Sequence, residues 1–219
     1  LNKDQNFVNV MLEKTLEESN MKKCLIEVFG LGYVGFPLAI RLANGGFNVL
    51  GVDVNPERIS RLEKNELNET ELNIKKEFLH VREENLLNFS DRPNKTDCQK
   101  IAFICVHTPI TTENIESDTY VKKAIETFLQ TSKKGDVIII ESSIGGGTTE
   151  KMQKVIENFG YTIGNDFGLC FCPERIDPQN KEWNLENIPR IIYCSDETTY
   201  KISQKLYQPV NHAHLQRVS

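Results

Sequence analysis

The sequence lacks the features that mark membrane-spanning and secreted proteins. No apolar run approaches the roughly 20 residues that a membrane-spanning helix needs, and the first residues are too acidic and polar for a signal peptide. The six cysteines show no Cys-x-x-Cys spacing, and most lie in strand-like runs. We therefore expect a cytoplasmic protein without a membrane partner, whose cysteines are buried, reduced thiols.

The sequence also lacks an excess of basic over acidic residues, internal repeats and low-complexity segments. Its net charge of −5 excludes the basic footprint of a nucleic-acid-binding protein. With 219 residues, of which 39% are hydrophobic and 26% charged, the chain can bury one large core or form one domain with appendages. Because the first residue is leucine and not methionine, we expect a fragment or a non-standard start.

The most informative motif is a glycine-rich turn between two apolar runs. Three glycines, Gly30, Gly32 and Gly35, follow the first run at Gly-x-Gly-x-x-Gly spacing, and a helical pattern and a second run ending at Asp53 come after them. In a dinucleotide site the first glycine permits the sharp exit from the strand, the second admits the pyrophosphate, and the third lets the helix lie against the sheet. The alternative is a flexible turn, but the strand, helix and acid around the motif favour the dinucleotide site.

Asp53 predicts which dinucleotide is bound. It lies 18 residues beyond Gly35, at the tip of the second predicted strand. A carboxylate there accepts hydrogen bonds from both ribose hydroxyls of an adenosine and repels a 2′-phosphate. The sequence therefore favours NAD over NADP.

A helix is predicted after Asp53. Asn55 is its N-cap and Pro56 its first residue. Arg58 then lies near the strand ends, where it either contacts the adenosine or diphosphate or remains a solvated surface charge. The charged, helix-prone segment 63–88 shows no catalytic pattern, and His80 within it is interpreted as structural.

The remaining chain alternates apolar runs with amphipathic patterns. Strands are predicted over residues 101–106, 137–140, 167–172 and 191–193. Helices are predicted from Asp118 as the N-cap until Gly135 ends the helix, after Thr149 with Phe159 as the last inner residue, and over residues 197–207. This alternation predicts an α/β fold: a doubly wound parallel sheet, Rossmann-like, in a single domain over residues 22–210. Residues 1–21 form an amphipathic helical extension that either packs against the domain or a partner, or is a solvated tail.

Polar loops follow four of the predicted strands. Besides the glycine turn they are His107-Thr108-Pro109, Ser142-Ser143 and Pro173-Glu174-Arg175. In an open parallel sheet, ligands bind beyond the carboxyl ends of the strands. We expect Thr108 and Ser143 to hydrogen-bond the nicotinamide ribose or amide, and Glu174 to transfer a proton through a water during alcohol oxidation.

Cys172 precedes Glu174 by two residues and could be a nucleophile. Its position within an apolar strand pattern favours a small buried residue instead.

With these residues in place, the chain resembles the N-terminal, NAD-binding domain of the UDP-glucose/GDP-mannose dehydrogenase family over residues 23–196. The resemblance lies in five motifs whose order and spacing are specific: GLGYVGFPLA (30–39), GVDVNPERI (51–59), ICVHTP (104–109), ESSIGGGTT (141–149) and CPERIDP (172–178). Members of the family oxidise the C6 alcohol of a nucleotide sugar to a carboxylate in two NAD-linked steps, through a covalent thiohemiacetal on a cysteine.

The resemblance implies a set of site residues. Glu174 would be catalytic, Glu174 and Arg175 would face the substrate, and no metal is implied. The residues that would hold NAD are Gly30, Leu31, Gly32, Tyr33, Val34, Gly35, Asp53, Arg58, Val106, His107, Thr108, Pro109, Ser142, Ser143 and Ile144.

The motif around Glu174 also implies a branch of the family. Its Pro-Glu-Arg form, followed by Ile188-Pro189-Arg190, resembles the branch acting on UDP-N-acetylhexosamines such as UDP-GlcNAc or UDP-ManNAc more than the UDP-glucose branch. Four departures from the family pattern are His107, Ser143, Gly145-Gly146 and Gln179. The first three should leave NAD binding intact, whereas Gln179 is expected to alter the substrate loop.

Other parts of the family pattern are absent from the 219 residues. The catalytic cysteine, the substrate lysine and asparagine, the long central helix and the second nucleotide-binding domain would lie beyond Ser219, and residues 211–219 would begin the linker to them. We therefore expect this chain to bind NAD without turnover. The full-length enzyme would bind a UDP-sugar with its missing domain and form a homodimer, largely through the central helix.

Two other functions remain open at this point. One is a single-domain NAD oxidoreductase using Glu174 or His107 as its acid–base group, although the sequence has no Tyr-x-x-x-Lys pair. The other is a non-enzymatic NAD-sensing module whose N-terminal helix engages a partner.

Overall fold

Eight strands form one sheet at the centre of the protein, in the order β3-β2-β1-β4-β5-β6-β7-β8. This computed structural model describes residues 18–110, 117–175, 182 and 185–218. The strands are β1 Leu25–Phe29, β2 Asn48–Val52, β3 Leu87–Ser90, β4 Lys100–Ile104, β5 Val137–Ile140, β6 Gly168–Phe171, β7 Arg190–Cys194 and β8 Leu215–Arg217. Neighbouring strands are parallel except for β6 and β7, which are antiparallel.

Helices connect the strands and cover both faces of the sheet. They are α1 Glu18–Met21, α2 Gly35–Asn44, α3 Pro56–Glu63, a 3-10 helix Glu69–Ile74, α4 Lys75–Glu83, α5 Thr119–Leu129, α6 Thr148–Asn158 and α7 Glu197–Tyr207. In β5 Ile139 belongs to the apolar cluster under α2, α4 and α7, and Ile138 to the cluster under α5 and α6. This alternation explains why the inner strands are continuous apolar runs.

The predicted doubly wound α/β sheet is confirmed, with two corrections. The antiparallel direction of β7 was not predicted, because an apolar run carries no information about strand direction. Strand β3 was also missed: it lies at the end of the segment taken as helical, and only its alternate residues Leu87 and Phe89 are buried. Of the predicted extension over residues 1–21, residues 1–17 lie outside the described part of the chain.

The end of the chain differs from the predicted linker over residues 211–219. Residues Leu215–Arg217 pair in parallel with β7 as strand β8, and Leu215 packs against the larger apolar cluster. A three-residue strand with one half-buried side chain is too short to produce an alternating pattern, which is why the sequence did not reveal it.

Two cysteines also depart from the expectation of reduced thiols. Cys170 and Cys194 are joined by a disulfide, whereas the described cysteines Cys24, Cys98, Cys105 and Cys172 are free. The paired residues are directly opposite in the antiparallel register of β6 and β7, with Cα atoms 4.2 Å apart. That register places residues 24 positions apart side by side, and the spacing of cysteines along the sequence cannot show it.

No helix in the part of the chain that the structure describes combines the length and apolar character needed to cross a membrane.

Candidate cofactor-binding site

The turn after β1 requires glycine at its first position. Gly30 has φ +87°, a left-handed conformation that side chains disfavour, and a Cβ there would lie 2.6 Å from the carbonyl oxygen of Cys105. The Gly30 amide donates to Val52 O at 2.8 Å, which ties the turn to the end of β2. The turn is therefore fixed between β4 and β2.

Gly35 and Gly32 are glycines for different reasons. A Cβ on Gly35 would overlap the carbonyl oxygen of Gly30, so this glycine allows α2 to approach the strand. A Cβ on Gly32 would meet no atom within 4 Å, because its position opens into a cleft. At the start of α2, Phe36 N donates to Gly32 O at 3.2 Å and Pro37 has no N–H. The amides of residues 32–35 therefore form the cradle that fits a diphosphate.

Asp53 lies at the carboxyl end of β2 and faces this turn. Its Oδ2 accepts a hydrogen bond from Leu31 N at 2.7 Å, and its Oδ1 accepts one from Asn55 N at 2.9 Å. A carboxylate has about four acceptor positions, so two stay available to the hydroxyls of a ribose. The predicted helix start is also present, since the Asn55 side chain accepts from the amides of Glu57 and Arg58.

Arg58 binds the turn and a neighbouring carboxylate. Its Nε donates to Leu31 O at 3.0 Å, and its guanidinium lies 4.7 Å from the ring centroid of Phe36. Its Nη1 and Nη2 donate to the two carboxylate oxygens of Glu71, at 3.2 and 2.6 Å. Arg58 is therefore neither a solvated surface charge nor an open cation.

A cleft of about 930 Å³ opens over the turn. Its wall is formed by α2, the end of β2, α3, the 3-10 helix and the segment before β7. The lining residues are Leu31, Gly32, Tyr33, Val34, Pro37, Arg41, Asp53, Asn55, Arg58, Asn68, Thr70, Glu71, Asn73, Ile74, Leu185 and Glu186. This volume is within the range of small-molecule and cofactor sites.

The loops after β4 and β5 continue the site from the glycine turn. A Cβ on Gly30 would lie 3.2 Å from Val106 Cα, so the two loops are in contact. The Ser142 hydroxyl donates to Val106 O at 2.8 Å and joins the two strand ends. His107 and Ser143 are exposed, and the remaining predicted residues of these loops are half-buried: Val106, Thr108, Pro109 and Ile144.

Beyond Ser142 the structure brings two acids together around a buried arginine. Arg190 Nη1 donates to Glu141 Oε2 at 2.8 Å, and Nη2 forms an ion pair with Glu174. The side chains of Arg190, Glu141 and Glu174 are 1%, 0% and 5% exposed, so these ion pairs lie largely out of bulk solvent, and Glu174 is the most exposed of the three. Continuing the antiparallel register in which Phe171 is opposite Tyr193 places Glu174 opposite Arg190.

Charge stabilises the ionised form of Arg190. Burial alone would lower its pKa, but the carboxylate of Glu141 raises that pKa above the ordinary value. Tyr207, whose hydroxyl donates to Glu141, is also buried, and its pKa is raised well above the ordinary value by burial and by the nearby Cys172 and Glu141. Tyr207 is therefore a neutral donor at physiological pH.

Cys172 has the buried position that the sequence favours. It is fully buried, and burial raises the pKa of its thiol to about 12. A thiol that stays protonated at neutral pH is a poor nucleophile. Arg175 is exposed beside the cluster, and its amide donates to Glu174 Oε1 at 2.6 Å.

Sequence reasoning missed several residues of this site. Glu71 could have been found, because Asn68 and Glu71 have the spacing of a capping box, which the structure contains. Tyr207 carried no functional pattern, Glu141 was noted only as the first residue of a family motif, and Arg190 only as part of a branch motif. Their contacts join positions 49 and 66 residues apart. The described residues contain no group of three or more His, Cys, Asp or Glu side chains that could hold a metal.

Comparison with known proteins agrees with this geometry. Residues 24–211 match the model of the UDP-glucose/GDP-mannose dehydrogenase family, NAD binding domain. The chain is 34% identical over 184 residues to a UDP-N-acetyl-D-mannosamine dehydrogenase of Pyrococcus horikoshii, covering 84% of this chain and 44% of the relative. It is 32% identical over 187 residues to a UDP-N-acetyl-D-glucosamine 6-dehydrogenase of Salmonella typhi, covering 84% and 43%.

Solved structures give the same result. The UDP-N-acetyl-mannosamine dehydrogenase of Staphylococcus aureus superposes with a TM-score of 0.81 at 30% identity, over 89% of this chain and 47% of that one. This chain thus spans less than half the length of the relatives it matches. The cofactor of the matched domain is NAD, as the sequence predicted. The chain belongs to the UDP-glucose/GDP-mannose dehydrogenase family, in which it corresponds to the NAD-binding domain.

Proposed function

We propose that this chain is the cofactor-holding part of a longer nucleotide-sugar 6-dehydrogenase, and that NAD lies in the cleft over the glycine turn. The amides of residues 32–35 would face the diphosphate, and Gly32 would leave room for it. Asp53 would accept hydrogen bonds from the adenosine ribose. The observation that carries this proposal is the open position at Gly32 beside a carboxylate with free acceptor capacity.

The loops after β4 and β5 would hold the nicotinamide half. Thr108 and Ser143 would hydrogen-bond its ribose or amide, while Val106, His107, Pro109 and Ile144 would form the wall around it. Ser142 would act by fixing the Val106 carbonyl, since that is where its hydroxyl donates. When bound, NAD supplies a hydride acceptor for alcohol oxidation.

Glu174 and Arg175 would face the sugar. The carboxylate of Glu174 is held by Arg190 next to the strand ends, where it could accept a proton through a water. The substrate would be a UDP-sugar, and the names of the relatives in Pyrococcus and Salmonella support a UDP-N-acetylhexosamine. The catalytic cysteine and most of the sugar pocket would belong to the rest of the longer enzyme, which would act as a homodimer in the cytoplasm.

Titration with NADH tests the cofactor part of the proposal. We expect Asp53→Ala to weaken NADH binding by about tenfold or more, since two hydrogen bonds to a charged group are lost. Asp97→Ala removes an exposed acid just before β4, at the amino edge of the sheet, and should leave the affinity unchanged. Equal NADH affinity in the wild type and in Asp53→Ala would refute the ribose assignment.

Activity tests the substrate part. The chain alone should form no NADH from UDP-N-acetylmannosamine or UDP-N-acetylglucosamine, because the thiol nucleophile would lie elsewhere. The same assay with the longer enzyme should give two NADH per sugar, and Glu174→Gln should lower the rate while NADH affinity is kept. Turnover by the 219 residues alone would show that the chemistry was assigned to the wrong part of the protein.

A further inference from the structure

The arginines of the cleft are compensated by carboxylates of the chain itself. Two arginines are among the described residues that line it, Arg41 and Arg58. Arg41 pairs with Glu77 at 3.4 Å and with Glu186, and Arg58 pairs with Glu71. A negatively charged group entering the cleft therefore meets guanidinium groups that already have partners.

Arg58 lies where a phosphate on the ribose would come. Asp53 Oδ2 and Arg58 Nε bind the amide and the carbonyl of the same residue, Leu31, at 2.7 and 3.0 Å. A phosphate on the 2′-oxygen of a ribose held by Asp53 would thus come within reach of the Arg58 guanidinium. An arginine near the end of the second strand is what accommodates that phosphate in NADP-binding sites.

Glu71 engages both terminal nitrogens of Arg58 and neutralises the charge that would attract such a phosphate. Its two oxygens accept from Nη1 and Nη2, and a bidentate pair of this kind is strong and geometrically specific. The side chains of Arg58 and Glu71 are only 12% and 14% exposed. Glu71 Oε2 also accepts from Asn68 N at 2.9 Å, so the carboxylate is fixed by its own helix.

We propose that Glu71 determines the preference for NAD over NADP by occupying the guanidinium of Arg58. Asp53 repels a 2′-phosphate, and Glu71 removes the cation that would otherwise bind it. This inference rests on the proposed function, because it requires a dinucleotide with its adenosine ribose at Asp53. It adds to that function a residue outside the glycine motif that selects the cofactor.

Glu71→Gln is the most direct test. Glutamine keeps the length of the side chain and can still cap the 3-10 helix, but it removes the charge that holds Arg58. We expect the affinity for NADPH relative to NADH, measured from the fluorescence of the reduced nicotinamide, to rise by about tenfold. Glu69→Gln removes an exposed charge from the same helix and should leave the ratio unchanged.

A second substitution shows whether the effect passes through Arg58. Arg58→Gln in the Glu71→Gln background should return the NADPH-to-NADH ratio to within about twofold of the wild type, whereas Arg61→Gln on the exposed side of α3 should not. In the wild-type background, Arg58→Gln should weaken both dinucleotides alike through the loss of its bond to Leu31. If the Glu71→Gln chain does not fold, Glu71→Asp, which shortens the side chain and weakens the pair, should shift the ratio in the same direction.

The outcomes separate this inference from the proposed function. A wild type that binds neither dinucleotide overturns the proposed function and the inference with it. Two results overturn the inference alone, provided that Asp53→Ala weakens NADH binding. One is an NADPH-to-NADH affinity ratio that is unchanged in Glu71→Gln. The other is an increase in that ratio that persists when Arg58→Gln is added.

Discussion

Asp53 and Arg58 hold the two polar backbone atoms of one residue: Asp53 accepts a hydrogen bond from Leu31 N, and Arg58 donates one to Leu31 O. The middle of the glycine turn is thereby fixed from the end of β2 and from the first turn of α3. Fixed backbone donors bind an anion with little loss of conformational entropy. The turn is therefore prepared for a diphosphate before any ligand arrives.

Gly32→Ala should separate cofactor binding from folding. The added methyl would touch no atom of the chain within 4 Å and would project into the cleft. We expect NADH affinity to fall by about tenfold or more, while the free energy of unfolding changes by no more than about 0.5 kcal/mol. Titration and urea denaturation of the same preparation measure both, and full NADH affinity in this variant would count against a diphosphate at Gly32.

Gly35→Ala should instead destabilise the fold. Its methyl would overlap the carbonyl oxygen of Gly30, a backbone atom that cannot rotate away. We expect the free energy of unfolding to fall by about 1–3 kcal/mol, the usual cost of overpacking, with binding lost as a consequence. A urea midpoint equal to that of the wild type would mean that α2 does not pack against β1 as described.

These glycines show where sequence reasoning succeeds. The turn, its acid and the bounds of β5 and α7 were all predicted, because each depends on neighbouring residues: a continuous apolar run, a cap or a fixed spacing. The residues that complete the site depend on contacts between distant positions. Glu71 meets Arg58 across 13 residues, and Arg190 meets Glu141 across 49.

Strand direction accounts for most of the remaining differences between the structure and the predictions from the sequence. An antiparallel β7 brings Arg190 beside Glu174 and Cys194 beside Cys170. A parallel strand, which the sequence pattern favours, would place neither pair together. Hydrophobic pattern fixes which residues are buried, but register and direction decide which buried residues meet.

Arg190→Met should be strongly destabilising. It leaves Glu141 and Glu174 as buried carboxylates without their cation, and breaking a buried pair in this way costs about 3–5 kcal/mol. Urea denaturation at pH 7 measures the loss. Arg92→Met, which removes an exposed arginine paired with Asp91, should leave the midpoint unchanged; equal effects of the two substitutions would show that the Arg190 cluster is solvated.

Asp136 should make stability depend on pH. Burial raises the pKa of this carboxyl from 3.8 to about 6 in the folded chain, although the amides of Lys100 and Lys133 donate to it. Between about pH 4 and 6 the folded state then binds more protons at this site than the unfolded state does. The free energy of unfolding from this group therefore falls as pH rises through that window, by at most about 3 kcal/mol.

Asp136→Asn tests this assignment. The variant loses one good acceptor and should be less stable at every pH, but its stability should decrease less than that of the wild type between pH 4 and 6. Urea denaturation at half-unit intervals of pH measures the slope. Parallel curves for the two proteins would show that Asp136 titrates with its ordinary pKa.

The central claim is that the glycine turn and Asp53 bind NAD, and a crystal structure of the chain with NAD tests it most directly. We predict the diphosphate within hydrogen-bond distance of the amides around Gly32 and at the start of α2, and the adenosine ribose hydroxyls on the carboxylate of Asp53. A dinucleotide bound elsewhere, with Gly32 still facing solvent, would contradict the account.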